Sequence, residues 1–202
     1  MPDPTLRESP LVRFDLAARA KPFPDNAGVV ARERAFLGHF NLRGDSRDPR
    51  FAALVSGVLG CGLPLVANTV SEAPGNTVYW LGPNEWLIVI AGERKAAVES
   101  ELRTALADLF AAVTDLSGGQ TVVLLRGRAI RDVLAKGCPL DLNPRAFGAG
   151  RCAQSHLAKA PILLRQVDDE PSFEIVVRRS FADYFWLWLE DAAAEYGLAV
   201  AA

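Results

Sequence analysis

The sequence is poor in residues that carry metal or nucleophilic chemistry. It contains three cysteines and two histidines among its 202 residues. The cysteines form no CxxC pair, a pattern that favours buried thiols in a reducing compartment over a zinc site or a disulfide framework. His39 and His156 each lie in or near a strand pattern, without a carboxylate at a spacing typical of a catalytic pair. We therefore expect neither a catalytic residue nor a metal site in this chain.

Several other sequence signals are also missing. The 22 basic and 24 acidic residues are scattered and leave a net charge of -2, so no basic surface is expected to attract nucleic acid. No Gly-x-Ser-x-Gly or Walker-type loop occurs. No stretch approaches the roughly 18 uninterrupted apolar residues of a membrane span, and the N-terminal residues lack the apolar core of a signal peptide. The expected location is therefore the cytoplasm, without contact with a membrane.

The composition is that of a folded protein. Half of the residues are hydrophobic and 23% are charged, and a chain of this length buries about 70% of the surface that it exposes when unfolded. Residues 1–27 are rich in proline and charge, so we predict an extended N-terminal arm over residues 1–34, in which only residues 11–16 alternate like a strand. The remaining residues are expected to form one domain or two tightly joined halves.

Residues 35–117 show the element order of a ferredoxin-like half. The periodicity of their apolar residues predicts a strand, a capped helix, a strand pair, a second helix and a final strand. Ser46 is the predicted cap of the first helix, and Gly82-Pro83-Asn84 is the predicted turn of the strand pair. The predicted elements are a strand at 35–43, a helix carrying Phe51, Leu54, Val55, Val58 and Leu59, strands at 77–81 and 85–90, a helix at 93–110 and a strand at 111–116.

The second predicted half, residues 118–202, nearly repeats this order. Two apolar runs, at 111–116 and 120–125, are joined by Ser117-Gly118-Gly119, which predicts a β-hairpin. A helix then follows Gly127, and Gly137 is predicted to close it in a left-handed cap. Strands within 151–177 and a last helix complete the half, and no strand is predicted after that helix. We expect residues 11–16 to supply the missing strand, giving an α+β fold of two ferredoxin-like halves with antiparallel sheets.

The last helix has two apolar faces. Ser180 and Asp183 are the predicted cap pair. If one face packs on a sheet, the other is free to bind a partner, because monomers seldom expose a large apolar patch without a binding role. The alternative is that both faces lie in the core, and Trp80 and Trp86 present the same choice. The candidate interface residues are Phe181, Tyr184, Trp186, Trp188 and Leu189.

The C-terminal half carries a long family resemblance. The segment LRGRAIRDVLAKGCPLDLNPRAFGAGRCAQSHLAKAPILLRQ and its continuation to Leu189, together with LGPNEWL at residues 81–87, resemble the gamma subunits of heterotetrameric sarcosine oxidases. The resemblance implies a non-catalytic subunit that acts in assembly and stability beside alpha, beta and delta subunits. Those subunits are expected to hold FAD, FMN, NAD and tetrahydrofolate. The complex is expected to demethylate sarcosine oxidatively to glycine.

These gamma subunits are themselves similar to the folate-binding domain of glycine-cleavage aminomethyltransferases. Asp115, Ser117, Gly127 and Asp141 fall on the positions of that family's pattern, and Asp141 matches the acid near the one-carbon unit of the folate. The family's Asn-x-x-Gly-Gly-x-x-Asp-Asp segment is absent from residues 155–162. Two interpretations of Asp141 remain, a folate-binding carboxylate or a turn aspartate. The alternative function is a stand-alone folate-binding protein or an aminomethyltransferase-like enzyme.

Overall fold

The computed structural model describes residues 7–20 and 27–201. The described parts form two compact units. Unit 1 comprises residues from the ranges 1–35, 118–148 and 155–202, and unit 2 comprises 36–117 and 149–154. Unit 2 is therefore inserted, in sequence, into unit 1.

The described residues contain eleven strands and five α-helices. The helices and strands before residue 118 are α1 Leu16–Arg19, β1 Val29–Arg34, β2 Gly38–Arg43, α2 Pro49–Leu59, β3 Val70–Ala73, β4 Asn76–Gly82, β5 Glu85–Ile90, α3 Lys95–Ala105 and β6 Ala112–Asp115. The elements that follow are β7 Gln120–Arg126, α4 Ile130–Ala135, β8 Cys152–Leu157, β9 Ala160–Gln166, β10 Ser172–Arg178, α5 Arg179–Ala193 and β11 Leu198–Val200.

The sheet of unit 2 confirms the ferredoxin-like prediction. Its strand order is β3-β4-β5-β2-β6, and every neighbouring pair is antiparallel. Four of these strands give the order expected of a βαββαβ half, and β3 is an additional edge strand. The predicted turn at residues 82–84 joins β4 to β5, since Gly82 pairs with Glu85 across it.

The core of unit 2 forms between its helices and its sheet. On α2 the buried residues are Phe51, Val55 and Leu59, whereas Leu54 of the predicted stripe is exposed. Residues three and four apart share one face of a helix, so these three side chains point to the same side. They pack in one cluster with residues of α3 and the strands, among them Phe40, Leu42, Val78, Trp86, Ile88, Ile90, Val98 and Leu102.

The cap of α2 is Asp48, and the prediction of Ser46 is wrong. The Asp48 carboxylate accepts a hydrogen bond from the backbone N–H of Arg50 at 2.8 Å, and Pro49 begins the helix. Proline suits the first helical position because its missing N–H has no partner there in any case. Ser46 instead donates its backbone N–H and its hydroxyl to Asn84 Oδ1, at 3.1 and 3.0 Å.

Unit 1 takes a strand from the N-terminal region, although not the predicted one. Its sheet order is β11-β1-β7-β10-β9-β8. β1 runs antiparallel to β7 and occupies the position that the fourth strand of a ferredoxin-like half would fill. The prediction of a strand at residues 11–16 is wrong, since Val12–Phe14 is a 3-10 helix and α1 follows it. A strand does follow the last helix, because β11 pairs in parallel with β1.

The predicted hairpin at the centre of the chain is also wrong. β6 pairs with β2 in the sheet of unit 2, whereas β7 pairs with β1 and β10 in the sheet of unit 1. Gly118 does adopt the positive φ, 83°, that glycine tolerates without strain. This glycine therefore lies in the connection between two sheets, and its local chemistry does not specify the partner of either strand.

Candidate partner-binding surface

Helix α5 buries one broad face against the sheet of unit 1. It contacts β7, β9 and β10. Two of the five candidate interface residues, Trp186 and Leu189, are fully buried and have no surface to offer a partner. The predicted cap pair does not form, because no side chain caps the start of α5 and Asp183 pairs with Arg13. The buried residues of the helix are Ala182, Phe185, Trp186, Leu189, Ala192 and Ala193.

The N-terminal segment, residues 8–20, contacts the Trp186 side of α5. The ring centroids of Phe14 and Trp186 are 6.0 Å apart and tilted by 42°. The guanidinium of Arg19 lies 5.8 Å from the Trp186 ring and 2.5 Å from Glu190, a carboxylate that also accepts the Trp186 indole N–H at 2.9 Å. The chain's own N-terminal segment thus covers part of the second apolar face of the predicted helix.

Packing contributes more than charge to the attachment of the N-terminal segment. Leu11 is buried, and burial of a leucine side chain contributes about 1.5–3 kcal/mol. The ion pair between Arg13 and Asp183, at 2.9 Å, is largely exposed, and such pairs contribute about 0–1 kcal/mol. Arg179 adds a hydrogen bond to the backbone oxygen of Glu8 at 3.1 Å. The segment is therefore an integral part of unit 1.

A third face of α5 remains exposed. Tyr184 and Leu187 have 37% and 50% of their surface exposed, and Phe181 and Trp188 beside them are half-buried. We call these four residues the outer face of α5. The Tyr184 hydroxyl accepts a hydrogen bond from the backbone N–H of Lys159 at 3.3 Å. Leu187 is not among the interface residues predicted from the sequence. Its spacing of three residues from Tyr184 places both on one side of a helix and could have indicated it.

Trp188 is held close to the end of α4. A Cβ atom at Gly137 would lie 2.6 Å from Cζ2 of Trp188 and 3.0 Å from the backbone nitrogen of Ala158. Gly137 is not among the residues with positive φ, and the C-cap is Lys136 in a right-handed conformation, so the predicted left-handed cap is wrong. Glycine is required at this position because Trp188 packs directly onto the backbone.

Lys136 anchors the C-terminal end of α5. Its ammonium donates a hydrogen bond to the backbone oxygen of Ala192 at 2.6 Å and lies 4.9 Å from the ring of Tyr196. The hydrogen bond to the Glu195 carboxylate raises the pKa of Lys136 above its usual value. A cation at this end of a helix also interacts favourably with the helix dipole. Both ends of α5 are therefore held by other parts of unit 1.

Asp141, the weak candidate for folate binding, lies in an exposed turn. Its Oδ1 accepts the backbone N–H of Asn143 at 2.9 Å, and Asn143 in turn accepts the N–H of Arg145 at 3.0 Å. Arg131 holds the same loop, since it donates to the backbone oxygen of Leu142 and, at 2.9 Å, to Gln166. The geometry is that of a turn aspartate, with one carboxylate oxygen engaged by its own loop.

The Asp115-x-Ser117 motif forms a similar local structure in unit 2. Asp115 accepts the backbone N–H of Ser117 at 2.8 Å and pairs with Lys95 at 2.5 Å. Ser117 Oγ accepts the backbone N–H of His39 at 3.0 Å. Burial would raise the pKa of the Asp115 carboxyl, but the hydrogen bonds from Lys95 and Ser117 outweigh it and hold the pKa below its usual value.

The remaining candidate residues of the sequence have mainly structural surroundings. Trp86 is fully buried, and its indole N–H donates to the backbone oxygen of Pro64 at 2.8 Å, whereas Trp80 is half-buried. Burial raises the pKa of the half-buried Cys61 thiol.

Within residues 7–20 and 27–201, no group of three or more possible ligands could hold a metal ion. No described helix is long and apolar enough to cross a membrane.

Comparison with known proteins identifies the family. The model of the sarcosine oxidase, gamma subunit family matches residues 43–195. The sarcosine oxidase subunit gamma of Corynebacterium sp. strain U-96 is 36% identical over 96% of this chain and 93% of the relative. That of Corynebacterium sp. strain P-1 is 39% identical over 95% of each. The chain belongs to the sarcosine oxidase gamma subunit family.

Solved structures agree with this family assignment. The present chain is similar to a chain in the structure of the heterotetrameric sarcosine oxidase from Corynebacterium sp. U-96 in complex with pyrrole 2-carboxylate. The TM-score is 0.85 and the identity 34%, and the match covers 98% of the present chain and all of the Corynebacterium chain. The glycine cleavage system aminomethyltransferase T from Bartonella henselae matches with a TM-score of 0.68 and 14% identity, over 97% and 59%. The match to the aminomethyltransferase shows a shared fold. It confirms the resemblance to aminomethyltransferases that the sequence predicted.

Proposed function

We propose that this chain is a non-catalytic gamma subunit that acts in the assembly and stability of a heterotetrameric sarcosine oxidase. The observation that carries the proposal is identity of 36–39% to gamma subunits over at least 93% of both chains. Because the match extends over the whole chain, it supports transfer of the role of an entire subunit. The complex would convert sarcosine to glycine by oxidative demethylation.

The proposed partners are the alpha, beta and delta subunits. FAD, FMN, NAD and tetrahydrofolate would be held by these other subunits, and the complex would be cytoplasmic. We assign the outer face of α5 to one of the contacts. Aromatic residues are enriched at protein interfaces, and Tyr184 and Leu187 project from a helix that is anchored at both ends. A pre-organised surface of this kind loses little conformational entropy on binding.

The test is co-expression of this chain with the proposed alpha, beta and delta partner subunits. Size-exclusion chromatography with mass detection and a sarcosine-dependent peroxide assay report assembly and activity. We expect joint elution, and loss of activity or stability when this chain is omitted. Leu187→Asp should weaken assembly, whereas Leu54→Asp, on the exposed side of α2, is the matched control. Separate elution of the wild-type chain, with activity unchanged by its omission, would refute the proposal.

A second candidate function is folate binding by this chain alone. It is favoured by the shared aminomethyltransferase fold and by the exposed position of Asp141. Calorimetric titration of the isolated chain with tetrahydrofolate tests it, with Asp141→Asn as the variant. Saturable binding that Asp141→Asn weakens would support this function. Absence of heat and of a thermal shift would eliminate it.

A further inference from the structure

The N-terminal segment, residues 8–20, is held on unit 1 mainly by side chains. Its backbone hydrogen bonds close short turns within the segment, such as that from the N–H of Phe14 to the oxygen of Leu11 at 3.0 Å. The structure describes one backbone pairing between the segment and another element, the bridge of Ala20 to Val200. Neighbouring strands of a sheet are joined by a row of hydrogen bonds along their length. The segment is therefore joined to the sheet by far less main-chain bonding than β1 is.

Little of the N-terminal segment is buried. Leu11 is its one buried residue, and Val12 beside it is 55% exposed. Asp15 has a φ of 45°, in the left-handed region that residues other than glycine seldom adopt, so the attached conformation also carries a backbone cost. Regions with few buried apolar side chains open locally at a lower free energy than the whole structure. We therefore expect this segment to detach more readily than unit 1 unfolds.

Two exposed ion pairs hold the segment along α5. Arg13 pairs with Asp183 at 2.9 Å, and Arg19 pairs with Glu190 at 2.5 Å. The two carboxylates are about two helical turns apart, so the segment follows one side of the helix. The four charged side chains are between 30% and 60% exposed. Such pairs contribute little to stability and are screened by salt, so they do not fix the segment in place.

Trp186 lies beneath this attachment. Its side chain is fully buried, and the segment contacts its ring through Phe14, at 6.0 Å between centroids, and through the guanidinium of Arg19, at 5.8 Å. Its indole N–H donates to Glu190 at 2.9 Å, and this carboxylate is the one that pairs with Arg19. Release of the segment would therefore remove contacts of the ring and the ion-pair partner of its hydrogen-bond acceptor together.

We propose that the N-terminal segment is a strap that opens as one unit while the rest of unit 1 stays folded, and that its opening uncovers Trp186. Helix α5 stays on the sheet, because its contacts with β7, β9 and β10 are made without residues 8–20. The attached strap limits the apolar surface of α5 to its outer face, and the open strap adds the Trp186 indole to that surface. The inference concerns the chain by itself and does not rest on the proposed function.

The test is hydrogen exchange of the full-length chain, followed by NMR at urea concentrations below the unfolding transition. The indole N–H of Trp186, assigned from its loss in Trp186→Phe, is compared with the backbone amides of β7 and β10. A local opening exposes little surface, so its free energy depends weakly on urea, whereas that of global unfolding depends strongly on it. We expect the Trp186 indole to exchange at least 10-fold faster than the amides of β7 and β10, with a much smaller urea dependence.

Two variants assign the opening to the strap. Arg19→Ala removes an ion pair and a ring contact and should accelerate exchange of the Trp186 indole by roughly five-fold. Leu11→Ala removes the buried anchor and should accelerate it by roughly 30-fold or more. Arg47→Ala removes the exposed ion pair with Asp45 in unit 2, so it is the matched control and should change nothing at Trp186.

Each outcome decides the inference. Fast exchange at Trp186 with a small urea dependence, accelerated by both Arg19→Ala and Leu11→Ala, supports the strap. Exchange at Trp186 with the rate and urea dependence of the amides of β7 and β10 would mean that the segment opens only when unit 1 unfolds, and the inference would be wrong. Fast exchange that Leu11→Ala leaves unchanged would mean that another motion exposes Trp186, which would also refute it.

Discussion

The two units differ in how their strands are drawn from the chain. The five strands of the unit 2 sheet all come from residues 38–115, whereas the sheet of unit 1 joins β1 and β7, which are separated in sequence by the whole of that sheet. The predictions for unit 2 were largely confirmed, and most errors concerned unit 1. Local patterns predict pairing well when the partner strand is near in sequence, because turn chemistry and periodicity then act on the same segment.

A charge buried in β1 should have the largest effect on stability, and unit 1 should lose protection before unit 2. Ala31 is fully buried and pairs with both Leu125 and Val200. Ala31→Asp should cost at least about 3 kcal/mol, because the carboxylate would have to be buried or the sheet opened. Hydrogen exchange resolved by peptide should show lost protection first in residues 118–200. The same change at the exposed Ala53 of α2 is the control, and uniform loss in both units would contradict the expectation.

Removal of Trp186 should have a comparably large effect. Trp186→Ala deletes a fully buried indole and should lower the free energy of unfolding by about 3–5 kcal/mol. A double-mutant cycle with Phe14→Ala, measured by urea denaturation, should give a coupling of about 0.5–1.5 kcal/mol. Strictly additive effects would show that the N-terminal segment does not stabilise α5 through this ring contact.

Gly137 in unit 1 and Gly62 in unit 2 allow the same substitution to be compared in the two units. Gly137→Ala in unit 1 should cost about 1–3 kcal/mol, since its Cβ would overlap Cζ2 of Trp188. Gly62→Ala in unit 2 meets no atom within 4 Å and has no positive φ, so it should leave stability nearly unchanged. Thermal unfolding of both variants measures the difference. Equal melting temperatures would mean that Trp188 moves aside without loss.

The smallest expected effect concerns the two turn aspartates. The folded-state pKa of Asp115 lies below its ordinary value of 3.8, so its contribution to stability is present above that pH and is lost as the pH falls through the folded-state pKa. Asp115→Asn should therefore reduce stability at neutral pH and flatten its decline in acid. Asp141→Asn should leave the melting temperature at neutral pH unchanged, because an amide oxygen can accept the same turn hydrogen bond. Identical acid profiles for wild type and Asp115→Asn would contradict the first expectation.

The errors in unit 1 have identifiable physical causes. β1 begins with Val29, Val30 and Ala31, an apolar run without alternation, because these residues are buried in the interior of a sheet. Residues 11–16 do alternate, but Asp15 adopts a φ of 45° and separates a 3-10 turn from α1. Gly118 adopts a positive φ, yet that property is shared by hairpins and by connections between sheets.

The candidate surface was predictable only in part. The sequence identified α5 as an amphipathic helix with more than one apolar face, and it included Tyr184 among the interface candidates. It could not show that Trp186 is covered by residues 8–20, since that contact joins segments more than 160 residues apart in the chain. The sequence also did not predict that Phe110 is fully exposed. A phenylalanine after an amphipathic helix is compatible with either a core or a surface position.

The sequence by itself determined the family, the α+β class and the elements of unit 2, because these depend on motifs, periodicity and turns within short stretches of chain. Tertiary structure decided which strand completes unit 1, which face of α5 stays exposed and why Gly137 must lack a side chain. These features depend on contacts between distant segments. Their free energy comes from burial that no single segment achieves alone, so no local pattern records it.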